Sequence, residues 1–174
     1  EHNVAGFYSS KRDGYALTEK GQQQVRDSVR GMKQPDIILT SPVQRCRETA
    51  EIVNNAFHGA VDVIEDDRLW EMEMGKWDGV FNEKGKLRDA INEWKKTNTV
   101  EEQWGTTPLE GMETLQSIED RSLPFLKEVL EKYRGKRVLI VSHRANIQAL
   151  SKILKVQHAG AGISYIYATP AQRN

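Results

Sequence analysis

Apolar and polar residues follow one another along the chain in a pattern that predicts strands separated by amphipathic helices. Runs rich in Val, Ile and Leu predict strands over residues 36–42, 136–143 and 162–169, and residues 61–71 predict a strand that runs into a loop. Apolar residues recur at helical spacing over residues 16–32, 44–57, 114–133 and 146–154. Strands that alternate with helices are typical of an α/β domain. We therefore predict three layers, in which a largely parallel sheet is flanked by helices.

Residues 70–111 interrupt this alternation, and we predict that they form an excursion from a single domain spanning residues 1–174. The segment combines a charged helix over residues 86–96 with polar loops. It holds all the tryptophans of the chain: Trp70, Trp77, Trp94 and Trp104. Tryptophan side chains more often pack in a hydrophobic core, or cover it, than line a ligand pocket. Any ligand selectivity is expected to come from this segment.

Composition and charge narrow the class of protein. The 174 residues suit one domain, and 25 basic side chains balance 25 acidic ones. This balance argues against nucleic acid or an anionic membrane as a partner, since proteins that bind them carry a basic excess. The single cysteine, Cys46, excludes an internal disulfide and favours a cytoplasmic location. No apolar run approaches the roughly 20 residues that span a membrane, and the oligomeric state stays open.

Candidate chemistry lies at three predicted strand ends. Arg45 begins the helix after the first strand, Glu71 follows the second strand, and His143 follows the third. Ligands of α/β sheets bind beyond the carboxyl ends of the strands. An arginine fork and a helix N-terminus bind phosphate oxygens, and a carboxylic acid can protonate a leaving oxygen. The three residues together predict a phosphate site with a proton donor, and partial burial is expected to keep Glu71 protonated near neutral pH.

The order and spacing of several motifs resemble those of the histidine phosphatase superfamily, the phosphoglycerate mutase-like proteins. The motifs are ALTEKGQQQV (16–25), TSPVQRCRETA (40–50), RLWEMEMGKWDG (68–79), LIVSHRANIQAL (139–150) and, more loosely, EGMET (110–114). Arg144 stands where glycine is common in that family. The resemblance implies a phosphoglycerate mutase-like α/β fold that transfers or hydrolyses the phosphate of a small ester, or binds inorganic phosphate, without metal or cofactor.

The same resemblance implies a role for each matching residue. In such proteins a histidine of an Arg-His-Gly triplet attacks phosphorus and forms a phosphohistidine. Arg45 would clamp the phosphate, and Asn3 would belong to the substrate-binding residues. His143 would be the second histidine, which steadies the equatorial oxygens. Glu71 would give a proton to the leaving group.

The nucleophile is the exception, because no Arg-His-Gly triplet occurs in the sequence. The chain starts at Glu1, and its first residues resemble the end of the triplet's motif. One interpretation is a chain without its opening strand, which would leave backbone groups of a central strand position unpaired. The other is a circular permutation that joins Asn174 to Glu1. That register fits without a gap and places Pro170 and Ala171 where the family has Arg and His.

The permuted register has a consequence for activity. In the permuted register the strand around Ile166 would lie beside the strand of Leu139 and Ile140, and Ala171 would face the anion site. Alanine has no nucleophilic group, so the phosphohistidine step would be impaired. The alternative function is a non-catalytic phosphate-binding or regulatory domain of the same fold. A nucleotide-binding α/β module is less expected, since the sequence has no glycine-rich phosphate loop.

Overall fold

Three parallel strands form the sheet in the part of the chain that the computed structural model describes, residues 8–80 and 85–154 without the side chains of residues 86 and 87. They are β1 (Ile37–Thr40), β2 (Val63–Glu65) and β3 (Val138–Val141), in the order β2-β1-β3. Ile38 pairs with Val63 on one side and with Leu139 on the other. The carboxyl ends of all three strands therefore lie at one edge of the sheet.

Six helices accompany this sheet within the described residues. They are α1 (Glu19–Val29), α2 (Gln44–Ala56), α3 (Lys86–Thr97), α4 (Val100–Gly105), α5 (Leu115–Lys132) and α6 (Arg144–Ile153). Short 3-10 turns cover Asp67–Leu69 and Gly75–Trp77. The predicted α/β fold is confirmed, and the predicted helices begin and end within a few residues of the observed ones. Thr18 caps α1 by accepting a hydrogen bond from the Gly21 N–H at 3.0 Å.

The side chains of β1 alternate between the two faces of the sheet and build two hydrophobic cores, as the period of a strand requires. On the face of α1 and α2 the core contains Val25, Val29, Ile38, Ala50, Val53 and Val61. On the face of α5 and α6 it contains Ile37, Leu39, Leu69, Phe125, Leu126, Val129 and Leu150. Full burial of one such side chain stabilises the fold by about 1.5–3 kcal/mol. The two cores fix the helices that begin at the carboxyl edge of the sheet.

The segment 70–111 contains α3 and α4, and one of its tryptophans contacts α6. The Nζ of Lys152 lies 3.9 Å from the centre of the Trp104 ring and 2.6 Å from the Glu119 carboxylate. Trp104 therefore serves as cover over the junction of α5 and α6. The description of this segment as an excursion from a single domain stays a prediction.

Several predicted features lie outside the described residues. They are the last strand at 162–169, the pairing of Ile166, the position of Asn3, and Pro170 and Ala171 of the permuted register. Within the described residues, no helix is both long enough and apolar enough to cross a membrane.

The loops around Gly75 and Gly111 touch through their backbones. Gly75 has a φ of +55°, and a Cβ placed on it would lie 2.2 Å from the Gly111 carbonyl oxygen. Gly135 also has a positive φ, +75°, but a Cβ there would meet nothing within 4 Å. Both glycines therefore adopt a positive φ, but only at Gly75 would a Cβ also clash with another part of the backbone.

Gly75→Ala should therefore destabilise the protein more than Gly135→Ala does. The control variant is expected to cost about 1–2 kcal/mol, because a side chain is disfavoured at positive φ. Gly75→Ala should cost about 1–3 kcal/mol more, since the two loops must separate to admit the methyl group. Urea unfolding of both variants measures the difference, and equal midpoints would contradict the close approach.

Candidate active site

Three side chains meet at the carboxyl edge of the sheet. Arg45 lies in the first turn of α2, Glu71 follows the turn Asp67–Leu69, and His143 is the N-cap residue of α6. The Glu71 Oε2 atom lies 3.0 Å from Arg45 Nη2 and 3.1 Å from His143 Nδ1. Their side chains are 14% (Arg45), 24% (Glu71) and 3% (His143) exposed. The structure thus brings together the three candidates from the three strand ends.

The hydrogens of Arg45 Nη2 decide which of these contacts are hydrogen bonds. Nη2 carries two hydrogens, and it donates to Glu71 Oε2 and to the Ser9 carbonyl oxygen at 3.3 Å. Nη2 also lies 3.1 Å from His143 Nδ1, but it has no third hydrogen to donate. We therefore assign the His143 Nδ1–H to Glu71. The carboxylate thus bridges the Arg45 guanidinium and the His143 imidazole.

Ser41 and Cys46 contact the other side of the His143 ring. The Ser41 hydroxyl lies 2.8 Å from Nε2, and the Cys46 sulfur lies 3.5 Å from the same atom. Burial raises the pKa of the Cys46 thiol to about 12, so this cysteine stays a neutral thiol and is not a nucleophile. Sequence reasoning missed both contacts, although both residues lie in the motif TSPVQRCRETA.

The segment that begins at Tyr8 borders the site next to Arg45. Ser9 and Ser10 are buried. Ser10 donates from its N–H and its hydroxyl to the Asp78 carboxylate, at 3.2 and 2.9 Å. The Trp70 indole N–H donates to the Ser10 carbonyl at 2.9 Å. These partners are far apart in sequence, so no local pattern could have revealed them.

The charges around Glu71 determine its protonation. Burial on its own raises the pKa of this carboxyl, but the charge and hydrogen bond of protonated His143, followed by the charge of Arg45, lower it to about 2. The expectation that Glu71 keeps a proton near neutral pH is therefore wrong. That expectation considered burial alone, whereas the effects of His143 and Arg45 on the pKa outweigh burial.

The site has further capacity for an anion. Arg45 Nη1 is buried and has no hydrogen-bond partner among the described residues. Neither α2 nor α6 has a side-chain cap at its N-terminus, and helix N-termini attract anions. Within residues 8–80 and 85–154, no group of three or more His, Cys, Asp or Glu side chains is arranged to hold a metal ion.

The lowered pKa of Glu71 predicts how stability depends on pH. A carboxyl with a depressed pKa in the folded state stabilises the fold above its ordinary pKa of 4.5, and this stabilisation is lost as the pH falls towards 2. Glu71→Gln should remove a pH-dependent contribution of about 3 kcal/mol over that window. Urea unfolding of both proteins at several pH values measures it.

The control for this measurement is Glu110→Gln, which removes an exposed carboxylate paired with Lys76. Exposed pairs contribute little to stability, so the control should follow the pH dependence of the unchanged protein. A Glu71→Gln protein with the same acid dependence as the control would contradict the bridging role of Glu71.

The curated proteins that are similar to this chain include two phosphatases. PhoE of Bacillus subtilis (strain 168), described as an uncharacterized phosphatase, is 33% identical over 136 residues, which cover 77% of this chain and 62% of PhoE. Phosphoserine phosphatase 1 of Hydrogenobacter thermophilus is 29% identical over 155 residues, which cover 86% of this chain and 69% of that protein. The chain therefore spans less than two thirds of the length of PhoE.

Solved structures share the fold. The mycobacterial glucosyl-3-phosphoglycerate phosphatase in complex with VO3 superimposes with a TM-score of 0.70 at 22% identity, over 90% of this chain and 78% of that one. The same phosphatase in complex with inorganic phosphate gives a TM-score of 0.64 at 23% identity, over 88% of this chain and 77% of that one. The family profile of the histidine phosphatase superfamily (branch 1) matches residues 1–169. The chain therefore belongs to branch 1 of the histidine phosphatase superfamily.

Proposed function

We propose that this chain supplies the phosphate-binding and proton-donating groups of a phosphatase or phosphomutase site for a small phosphate ester. The arrangement around Glu71 carries the proposal. Its Oε2 atom lies within 3.1 Å of both Arg45 and His143, so an anionic oxygen already stands where we assign a phosphate oxygen. The relatives that are phosphatases, and the mycobacterial phosphatase seen with phosphate and VO3, support this assignment.

Arg45 and His143 would hold the phosphoryl group. The guanidinium has one nitrogen, Nη1, with no partner among the described residues, and a second, Nη2, that now binds Glu71. Both can point to phosphate oxygens, which gives a bidentate contact. The His143 Nδ1–H faces the same position. Donors that are fixed in place before the reaction stabilise the charge of the transition state without further reorganisation.

Glu71 would act as the proton donor once a phosphate has bound. Its pKa is low because two cations surround the carboxylate. A phosphate dianion takes over these cations and brings negative charge close to the carboxylate, and both effects raise the pKa of Glu71. The carboxyl then takes up a proton and passes it to the ester oxygen as the bond to phosphorus breaks. Substrate binding itself thus prepares the acid.

The phosphohistidine step needs a nucleophile that the 174 residues do not place in an Arg-His-Gly triplet. In the proposed reaction, a histidine nitrogen bonds to phosphorus, the ester oxygen leaves with the proton from Glu71, and water later releases phosphate. We propose that this step is impaired in the 174-residue chain while phosphate binding is retained. The single cysteine favours a cytoplasmic location for it.

Phosphate binding tests the role of Arg45 directly. Arg45→Met should weaken the binding of inorganic phosphate by about tenfold or more, because a charge-assisted hydrogen bond contributes about 1.5–3 kcal/mol. Isothermal titration calorimetry measures the dissociation constant. The matched control is Arg30→Met, which removes an exposed arginine paired with Asp27. Equal affinities in the two variants would overturn the phosphate site.

Turnover of para-nitrophenyl phosphate tests the source of the nucleophile. The 174-residue chain is compared with a Pro170→Arg/Ala171→His variant and with a chain extended before Glu1 by a strand that ends in Arg-His-Gly. Restoring the nucleophile in the correct place should raise turnover by about 100-fold or more. A gain in the double variant supports the permuted register, and a gain only in the extended chain supports the loss of an opening strand.

Two other outcomes would decide against parts of the proposal. Rapid turnover by the unchanged 174-residue chain, with an acid-labile phosphoprotein intermediate, would show that the step is not impaired. Tight phosphate binding with no gain from either restored nucleophile would favour the non-catalytic binding or regulatory domain.

A further inference from the structure

Side chains from two other parts of the fold hold the backbone on both sides of Glu71. Before it, Arg121 of α5 donates from Nη1 to the Arg68 carbonyl at 2.6 Å and from Nη2 to the Trp70 carbonyl at 2.8 Å. After it, the Glu113 N–H donates to the Glu73 carbonyl at 2.8 Å, and the Glu73 N–H donates to the Glu113 carboxylate at 3.1 Å.

The two holding residues are themselves an ion pair. Arg121 Nε lies 2.9 Å from Glu113 Oε1, and Arg121 Nη2 lies 3.1 Å from Glu113 Oε2. The side chains are 22% and 11% exposed, respectively. All three nitrogens of the guanidinium therefore bind either the Glu113 carboxylate or a backbone carbonyl within the three residues before Glu71. The pair thus holds the segment of residues 68–73 on both sides of Glu71.

A second set of bonds links this segment to the His143 loop. The Ser142 hydroxyl and the Asn146 side-chain amide each donate to the Leu69 carbonyl at 2.9 Å. Ser142 and Asn146 flank His143 in sequence, so they limit the distance between the Glu71 segment and His143. Asn146 also donates to the Trp70 carbonyl. All three bonds reach residues before Glu71, whereas the Arg121–Glu113 pair also holds Glu73 after it.

The position of the Glu71 carboxylate is sensitive to small movements. Its contacts with Arg45 and His143 are 3.0 and 3.1 Å long, and a displacement of about 1 Å takes such a pair out of hydrogen-bonding range. Glu71 has one hydrogen bond to its own loop, from the Met72 N–H at 2.9 Å. That local bond moves with the loop, so it cannot set the loop's position in the fold.

We propose that Arg121 and Glu113 are positioning residues for Glu71. Their ion pair fixes the backbone on both sides of it, and so keeps its carboxylate between Arg45 and His143. The inference deepens the proposed function, because it rests on Glu71 as the proton donor of that site. It also gives a role to the motif EGMET, whose glutamates had no part in the phosphate site.

Carboxyl carbon NMR on protein labelled with ¹³C-glutamate tests the proposal without any ligand. Glu71→Gln assigns the Glu71 signal. In the unchanged protein, Glu71 should stay ionised down to about pH 3. In Arg121→Met and in the milder Glu113→Gln, its titration midpoint should rise by about one unit or more towards 4.5, because the carboxylate moves away from its cations.

The matched control is Glu119→Gln. Glu119 accepts hydrogen bonds from Lys152 and Trp104, neither of which belongs to the segment that carries Glu71. This variant loses a carboxylate of α5 and should leave the Glu71 midpoint unchanged. Circular dichroism checks that each variant is folded, and Glu113→Gln provides the test if Arg121→Met is not. An unchanged midpoint in a folded Arg121→Met or Glu113→Gln protein would overturn the proposal.

A double-mutant cycle on phosphate affinity adds a second measure. With Glu71 present, Glu113→Gln should tighten phosphate binding by about threefold or more, because the competing carboxylate is released from the cations. With Glu71→Gln in the background, the same change should have no effect on affinity. An equal effect in both backgrounds would show that Glu113 does not act through Glu71. The NMR result needs no phosphate, so failure of the phosphate site would be recognised separately.

Discussion

The contact of one carboxylate with a guanidinium and an imidazole is the constraint on which the site depends. A guanidinium that is mostly removed from water is costly to leave without a counter-charge. Glu71 supplies that counter-charge and also accepts the hydrogen bond of His143. In the proposed function, a phosphate oxygen would take the position of this carboxylate oxygen, so that one anion replaces another.

The parallel sheet makes this contact possible. Since β1, β2 and β3 run in the same direction, the residues that follow them reach the same edge. The two cores then hold α2 and α6 so that both helices begin at that edge. Arg45 and His143 are almost one hundred positions apart in sequence. They meet because each is fixed to a strand–helix junction of one layered structure.

Much of this was visible in the sequence, and the parts that were not have a common physical origin. The apolar periods predicted the strands and helices, and the rule on strand ends brought Arg45, Glu71 and His143 together. The protonation of Glu71 could not be predicted, because it depends on distances of about 3 Å to two charges and not on burial alone. The hydrogen bonds of Arg121 to backbone carbonyls could not be predicted either. Every residue has a backbone carbonyl, so the residue type does not reveal which carbonyl accepts the bond.

The contact between Gly75 and Gly111 has a consequence for how this fold can diversify. The backbones of the two loops touch there, and Glu73 and Glu113 are hydrogen-bonded beside them. The two ends of the segment 76–110 are therefore held close together. Because the ends already meet, lengthening such a loop adds little closure entropy. Natural or engineered exchange of residues within this segment can therefore alter the surface of the protein while the backbone at Glu73 and Glu113 keeps its hydrogen bonds.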